Sequence, residues 1–170
     1  MSLTYEVNTK QFEKTVKNLG NEMPDLIKDA LKEVGLRIVV DAVTQAPKAP
    51  IHDGFLTGAF TVTVTGEEPV KPGAYPKGGE TGKESKQTLD PDQIAPIDTS
   101  GMEKFELRVG NSMKYAARLH EYPFTPGEWS QRRGEVGYKF LSSKLINNGT
   151  KYKDLLAGFI RKRLNRRMFT

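Results

Sequence analysis

The 170-residue chain contains no cysteine. That excludes disulfides, thiolate metal sites and cysteine nucleophiles, and it fits assembly in a reducing cytoplasm. There are two histidines, His52 and His120, which by themselves do not make a usual zinc site. His120 and Glu121 are neighbours, and neighbouring side chains on a regular element point in different directions. Both histidines therefore read as surface or interface residues. No run approaches the ~18 apolar residues of a membrane span, and the opening MSLTYEVNTK lacks an apolar stretch of signal-peptide length. The expectation is a soluble protein, intracellular when made, with no membrane contact.

Catalytic signatures are equally scarce. There is no G-x-S-x-G elbow, and Ser112, Ser130, Ser142 and Ser143 show no local partner pattern. The carboxylates of Glu67, Glu68, Asp90 and Asp92 fall in a polar stretch where water solvates them. Lys77 to Lys83, KGGETGK, is glycine-rich but lacks the G-x-x-x-x-G-K-[ST] spacing of a phosphate loop. No enzyme, no metal and no cofactor are expected.

Hydrophobic residues make up 36% and charged residues 28% of the chain, so the core should be modest and part of the surface should be covered only on assembly. The net charge of +5 is uneven: residues 151–170 carry +6 and the remainder −1. A cluster of Arg161, Lys162, Arg163, Arg166 and Arg167 causes this bias. Such a cluster either contacts DNA phosphates or an acidic neighbour, or is a solvated helix end whose cations complement the helix dipole. Tyr152 and Phe159 have the spacing of packing residues, so base stacking has no support.

The length suits one domain spanning 1–170. Thr4 to Val7 reads as a short strand or arm, with Asn8 or Thr9 capping a helix that follows. Phe12, Val16 and Leu19, then Leu26, Ile27, Ala30, Leu31, Val34, Ile38 and Ala42, recur at helical spacing. This predicts one long helix, or two broken near Gly20 to Pro24, ending before Pro47. Phe55 to Thr65 reads as a strand with Gly58 at a bulge, and Met102 to Val109 as its antiparallel partner. Between them, residues 66–101 hold five of the ten prolines and read as a long extended loop or arm. Tyr115 to Tyr122 has the pattern of a short helix or a further strand. From Tyr138 onward two helical stretches are expected, separated at Asn147-Asn148-Gly149. The fold class is α+β: a long N-terminal helix on a small antiparallel β-sheet, with C-terminal helices and a long Gly/Pro-rich loop.

Aromatic residues concentrate at Tyr115, Tyr122, Phe124 and Trp129. Core packing is the default reading for most of them. Trp129, placed in a loop, is the better interface anchor, and Tyr75, Tyr122, Phe124 and Trp129 are the subunit-interface candidates.

One stretch carries a family likeness. Val109-Gly110 ends a strand, Tyr115-Ala116-Ala117-Arg118-Leu119-His120-Glu121-Tyr122 follows, then a Pro/Gly loop and Gly137-Tyr138-Lys139-Phe140-Leu141 before the last helix. Asp53-Gly54-Phe55-Leu56-Thr57-Gly58 adds a Gly-x-Leu-type opening. The series resembles the neck proteins of tailed bacteriophages, the tail-completion or head–tail joining proteins also called putative tail component or minor capsid protein. It departs from them where Tyr122 runs into Pro123-Phe124-Thr125-Pro126-Gly127. The resemblance implies a structural virion protein at the head–tail junction, assembled in host bacterial cytoplasm. It further implies a homo-oligomeric ring, a hexamer, around the DNA passage. Its partners would be other neck, head-adaptor and tail-tube or tail-terminator proteins. The alternative is a basic DNA-associated protein using its cationic C-terminal helix.

Overall fold

The computed structural model describes residues 10–51, 55–70, 100–102 and 105–168, with side chains described within 20–165. A 35-residue helix, α1 (Lys10–Thr44), opens the fold. Leu26, Ala30, Val34, Ile38, Val39, Ala42 and Val43 are buried along one face, at the spacing a helix needs to present a continuous apolar stripe. Of the two readings, the single long helix holds: Pro24 lies inside it, with no break near Gly20. Proline removes the hydrogen bond to the carbonyl four residues back. Here that residue is Gly20, which is exposed, so water can reach its carbonyl.

The strand expected over Phe55 to Thr65 is divided. Residues Phe55–Gly58 form a helical turn, α2, and β1 is Phe60–Val64. Gly58 therefore ends a turn and is not at a bulge. The partner strand β2 is Leu107–Asn111, later than the sequence pattern placed it. The two pair antiparallel, with Val62 opposite Val109. Phe60, Val62 and Val64 are buried together with Thr61 and Thr63 of the opposite face, so β1 is the inner strand. Its far edge receives Val70 through two backbone hydrogen bonds with Val62, each 2.8 Å.

Gly35 brings the helix onto the sheet. A Cβ there would lie 2.4 Å from Val62 Cγ1 and 2.9 Å from Leu107 Cδ1, closer than side chains can pack. Then come α3 (Ala116–Glu121) and α4 (Glu128–Arg133). The 27-residue α5 (Ser142–Met168) closes the fold, unbroken at Asn147-Asn148-Gly149. Packing of α5 along α1 overrides the low helix propensity of that triplet. The two long helices run antiparallel, because Lys144 meets Ala46, Tyr152 meets Asp41 and Arg163 meets Asp29. Val34, Ile38 and Tyr152 share a core cluster with Leu155 and Leu156. Phe60 and Phe140 meet edge to face at 6.2 Å in the main core. Each fully buried apolar side chain of this kind contributes about 1.5–3 kcal/mol. The architecture is α+β: a long N-terminal helix on a small antiparallel sheet, with C-terminal helices.

Of the remaining expectations, the cap at Asn8 or Thr9, the arm at Thr4 to Val7, His52 and most of the 66–101 loop fall outside the described residues.

Candidate assembly surface

Three groups of polar side chains join the elements. The first binds α5 to the end of α1. Asp41 is wholly buried, and its carboxylate accepts from Gln45 Nε2 at 2.8 Å and Tyr152 OH at 3.1 Å. Arg37 Nε at 3.0 Å and Lys151 Nζ at 3.2 Å supply the countercharge. A buried carboxylate needs such pairing, since an unpaired one is costly to desolvate. Two helical turns earlier on α5, Lys144 is 2% exposed and donates to the carbonyls of Ala46 and Pro47 at 2.7 and 2.9 Å. Burial pushes its ammonium below the ordinary lysine range, partly offset by Asp41. Burial also pushes the Tyr152 hydroxyl up to about 12, so it stays a donor at any physiological pH.

The second group staples α4 to the segment after α1. Ser130 Oγ accepts from the Ile51 amide at 3.1 Å and donates to the Ile51 carbonyl at 2.9 Å. Arg133 donates to the carbonyls of Val43 at 2.6 Å and Ala49 at 3.2 Å. Desolvation lowers the Arg133 pKa, yet an arginine keeps its charge. Lys48 and Glu135 add a 3.0 Å ion pair on the same joint.

The third group holds α3 against the start of α5. The Ser142 amide donates to His120 Nε2 at 3.1 Å. Nε2 is then an acceptor, and the ring proton sits on Nδ1, which donates to Glu121 Oε1 at 2.7 Å. His120 and Glu121 therefore do meet, contrary to the expectation from their adjacency, because both lie in the last turn of the six-residue α3. Lys139 bonds the other Glu121 oxygen, and together Lys139 and His120 hold that carboxyl below its usual range. The Lys139 backbone sits at φ 57°, in the left-handed region, and its amide donates to the His120 carbonyl at 2.7 Å. That bond offsets part of the roughly 1–3 kcal/mol such a conformation costs.

Beside this joint lies a hollow of about 240 Å³ walled by Phe60, Ala116, Ala117, Phe140 and Leu141, with Asn111, His120 and Glu121 at its rim. Asn111 spends its amide on the Leu56 carbonyl and the Met113 amide. With His120 and Glu121 also engaged, the rim offers packing space for an apolar group rather than free acid–base chemistry. Among the described residues, no three potential metal ligands gather.

Four large apolar side chains in the segments around the joint are exposed. Ile146 is 79%, Tyr122 67%, Leu145 49% and Tyr138 45% exposed. Tyr122 was an expected interface residue; Leu145, Ile146 and Tyr138 were not among the candidates. Phe124 is half-buried. Trp129 is also half-buried and lies in α4, not in a loop, with the Arg132 guanidinium 4.8 Å from its ring centre. Tyr75 lies outside the described residues. Of the cationic cluster, Arg161 and Lys162 are exposed and make no ion pair among the described residues. Arg163 pairs with Asp29 of α1. The side chains of Arg166 and Arg167 lie outside the described residues.

The buried Asp41 and Lys144 and the half-buried Arg133 were not singled out in the sequence, and Ser130 was named there only as a serine without a local partner pattern. A usable signal existed for Asp41 alone: a carboxylate beside the apolar stripe, with Arg37 and Gln45 one turn to either side.

No protein-family model, no curated protein and no solved structure matches this chain. No described helix is long and apolar enough to cross a membrane.

Proposed function

We propose that the chain is a non-enzymatic structural protein of the bacteriophage virion, a neck component that completes the tail or joins it to the head as a ring subunit. The observation that carries this reading is the set of exposed large apolar side chains in the segments around the α3–α5 joint, Tyr122, Tyr138, Leu145 and Ile146. An exposed apolar set of this kind marks a surface that a partner covers. Tyr122 and Tyr138 lie in the stretch that resembles the neck proteins, and the set sits on a frame cross-linked by three polar joints. A subunit that works by geometry needs such a frame, because a ring closes only when every heterologous contact repeats the same rotation.

Light scattering over a wide concentration range, with negative-stain imaging of large species, tests the reading. Closed rings with a central hole are expected, and their symmetry gives the copy number. A chain that forms no rings, alone or with tail tubes, overturns it.

A second reading rests on the exposed Arg161 and Lys162. In it, the end of α5 contacts DNA phosphates without reading sequence. It requires an affinity that falls steeply with salt; salt-independent or absent DNA binding removes it.

A further inference from the structure

The alternation of an antiparallel ladder assigns every backbone group of the sheet to one edge or the other. Thr65 donates to the Glu106 carbonyl at 3.2 Å, and Ser112 to the Ala59 carbonyl at 3.0 Å. With the register fixed, Glu106, Arg108, Gly110 and Ser112 bond β1. The amides and carbonyls of Leu107, Val109 and Asn111 therefore point away from it. The same parity holds on the opposite edge, where the outward-facing Val62 is bonded by Val70. The β1 edge is thus closed at its centre. The β2 edge meets no backbone partner among the described residues. It also lacks proline, and its one charged side chain, Arg108, is turned onto Glu106 Oε1 at 2.7 Å and the Ser100 carbonyl at 3.1 Å. Those are the usual means of blunting an open edge, and β2 lacks them.

We propose that the β2 edge is completed by the N-terminal segment of a second copy of this chain, so that neighbouring subunits exchange arms. Residues Leu3, Tyr5 and Val7 alternate with Thr4 and Glu6. That is the period an added strand needs to extend the face on which Leu107 and Val109 pack, and it sets Glu6 on the face of Arg108. The arm's own edge is out of reach. Leu107 packs at the level of Gly35, and α1 begins at Lys10. At 1.5 Å per residue these levels are about 37 Å apart along the helix. Fully extended, the chain from Leu3 to Lys10 spans about 24 Å, leaving about 13 Å uncrossed even for Leu3. From Leu107 the strand runs on towards Phe60, which clusters with Val39, Ala42 and Val43, farther still from Lys10. An arm that pairs with β2 must come from another molecule. Passed from each copy to the next, the contact is heterologous, as a ring requires; in that respect the proposal rests on the neck reading.

A mixing experiment tests it. One variant lacks residues 2–8 and keeps the edge. The other, Val109→Pro, keeps the arm and removes an outward-facing amide without touching the β1 ladder. Wild-type protein should self-associate with concentration, and each variant alone should do so at least tenfold more weakly. Mixed in equal amounts, the two should form a heterodimer and grow no further. If Val109→Pro does not fold, the arm-less chain added in small amounts to wild-type protein should shorten its assemblies, since it accepts an arm and passes none on. Self-association of the arm-less chain at wild-type strength overturns the proposal, as does a wild-type chain that stays monomeric or a mixture of folded variants that stays monomeric. Rings built by the arm-less chain would overturn arm exchange and leave the neck reading standing. Arm-dependent association that never closes into rings would do the reverse.

Discussion

The two ends of α5 carry the same kind of residue and put it to opposite use. Near its start, Lys144, Lys151 and Tyr152 turn towards α1, where Asp41 and the carbonyls of Ala46 and Pro47 receive them. Near its end, Arg161 and Lys162 face water, and Arg163 reaches Asp29 from a half-exposed position. Local composition does not separate the two ends; the facing surface does. A buried carboxylate and open carbonyls convert a lysine into a structural cross-link, whereas an exposed helix surface leaves it available to a partner. A cationic helix is therefore not by itself a nucleic-acid signal.

The largest test of that contrast is Asp41→Ala. It leaves the buried Tyr152 hydroxyl without its acceptor and the half-exposed Arg37 and Lys151 without their shared countercharge, a combined loss of about 2–4 kcal/mol. Chemical denaturation should report the loss, with α5 separating from α1. Next is Tyr152→Phe, expected to cost about 1–3 kcal/mol at neutral pH by leaving an acceptor on Asp41 unfilled. Its pH dependence follows from the raised Tyr152 value. The folded chain holds this proton more tightly than the unfolded one, so the contribution is fully present below about 10 and is lost as pH rises towards about 12. The wild-type advantage over Tyr152→Phe should therefore shrink across that window. An unchanged difference would break the assignment of Tyr152 as donor to Asp41.

Smaller effects sharpen the contrast. Lys144→Met strands two carbonyls but removes a charge that burial disfavours, so a loss of about 1–2 kcal/mol is expected. The half-exposed pair at the other end should matter less, with Arg163→Gln costing about 0.2–1 kcal/mol, less in high salt. Smallest of all, Lys162→Gln should shift the melting midpoint by no more than about 0.5 kcal/mol equivalent. If Lys162→Gln instead weakens DNA binding in low salt, the DNA-contact reading gains; if it does not, the end of α5 is a solvated terminus.

Much of the frame was legible because it depends on periodicity. The stripe from Leu26 to Ala42 and the alternation around Val62 and Val109 each reflect one element burying one face, and that much is local. What misled was local as well. Asn147-Asn148-Gly149 are helix-weakening residues, and α5 runs through them because it gains more from packing along α1 than a few unfavourable positions cost. Phe55 to Val64 looked like a single strand because Phe, Leu, Thr and Ala suit a turn of helix and a strand alike. The exposure of Leu145 and Ile146 was not legible, because a helix pattern shows which residues share a face, not whether anything covers that face.

By itself, then, the sequence determined the α+β class, the absence of cysteine chemistry, the cationic bias of the C-terminus and the apolar faces of α1 and the strands. These follow from composition and from spacings that any chain of this pattern must satisfy. Only the tertiary structure decided that Asp41 is buried, that Lys144 spends its charge on two carbonyls, that His120 and Glu121 meet, and that one edge of β2 has no backbone partner among the described residues. Each of those depends on residues from distant parts of the chain arriving at one place, and long-range contacts leave no periodic trace in the sequence.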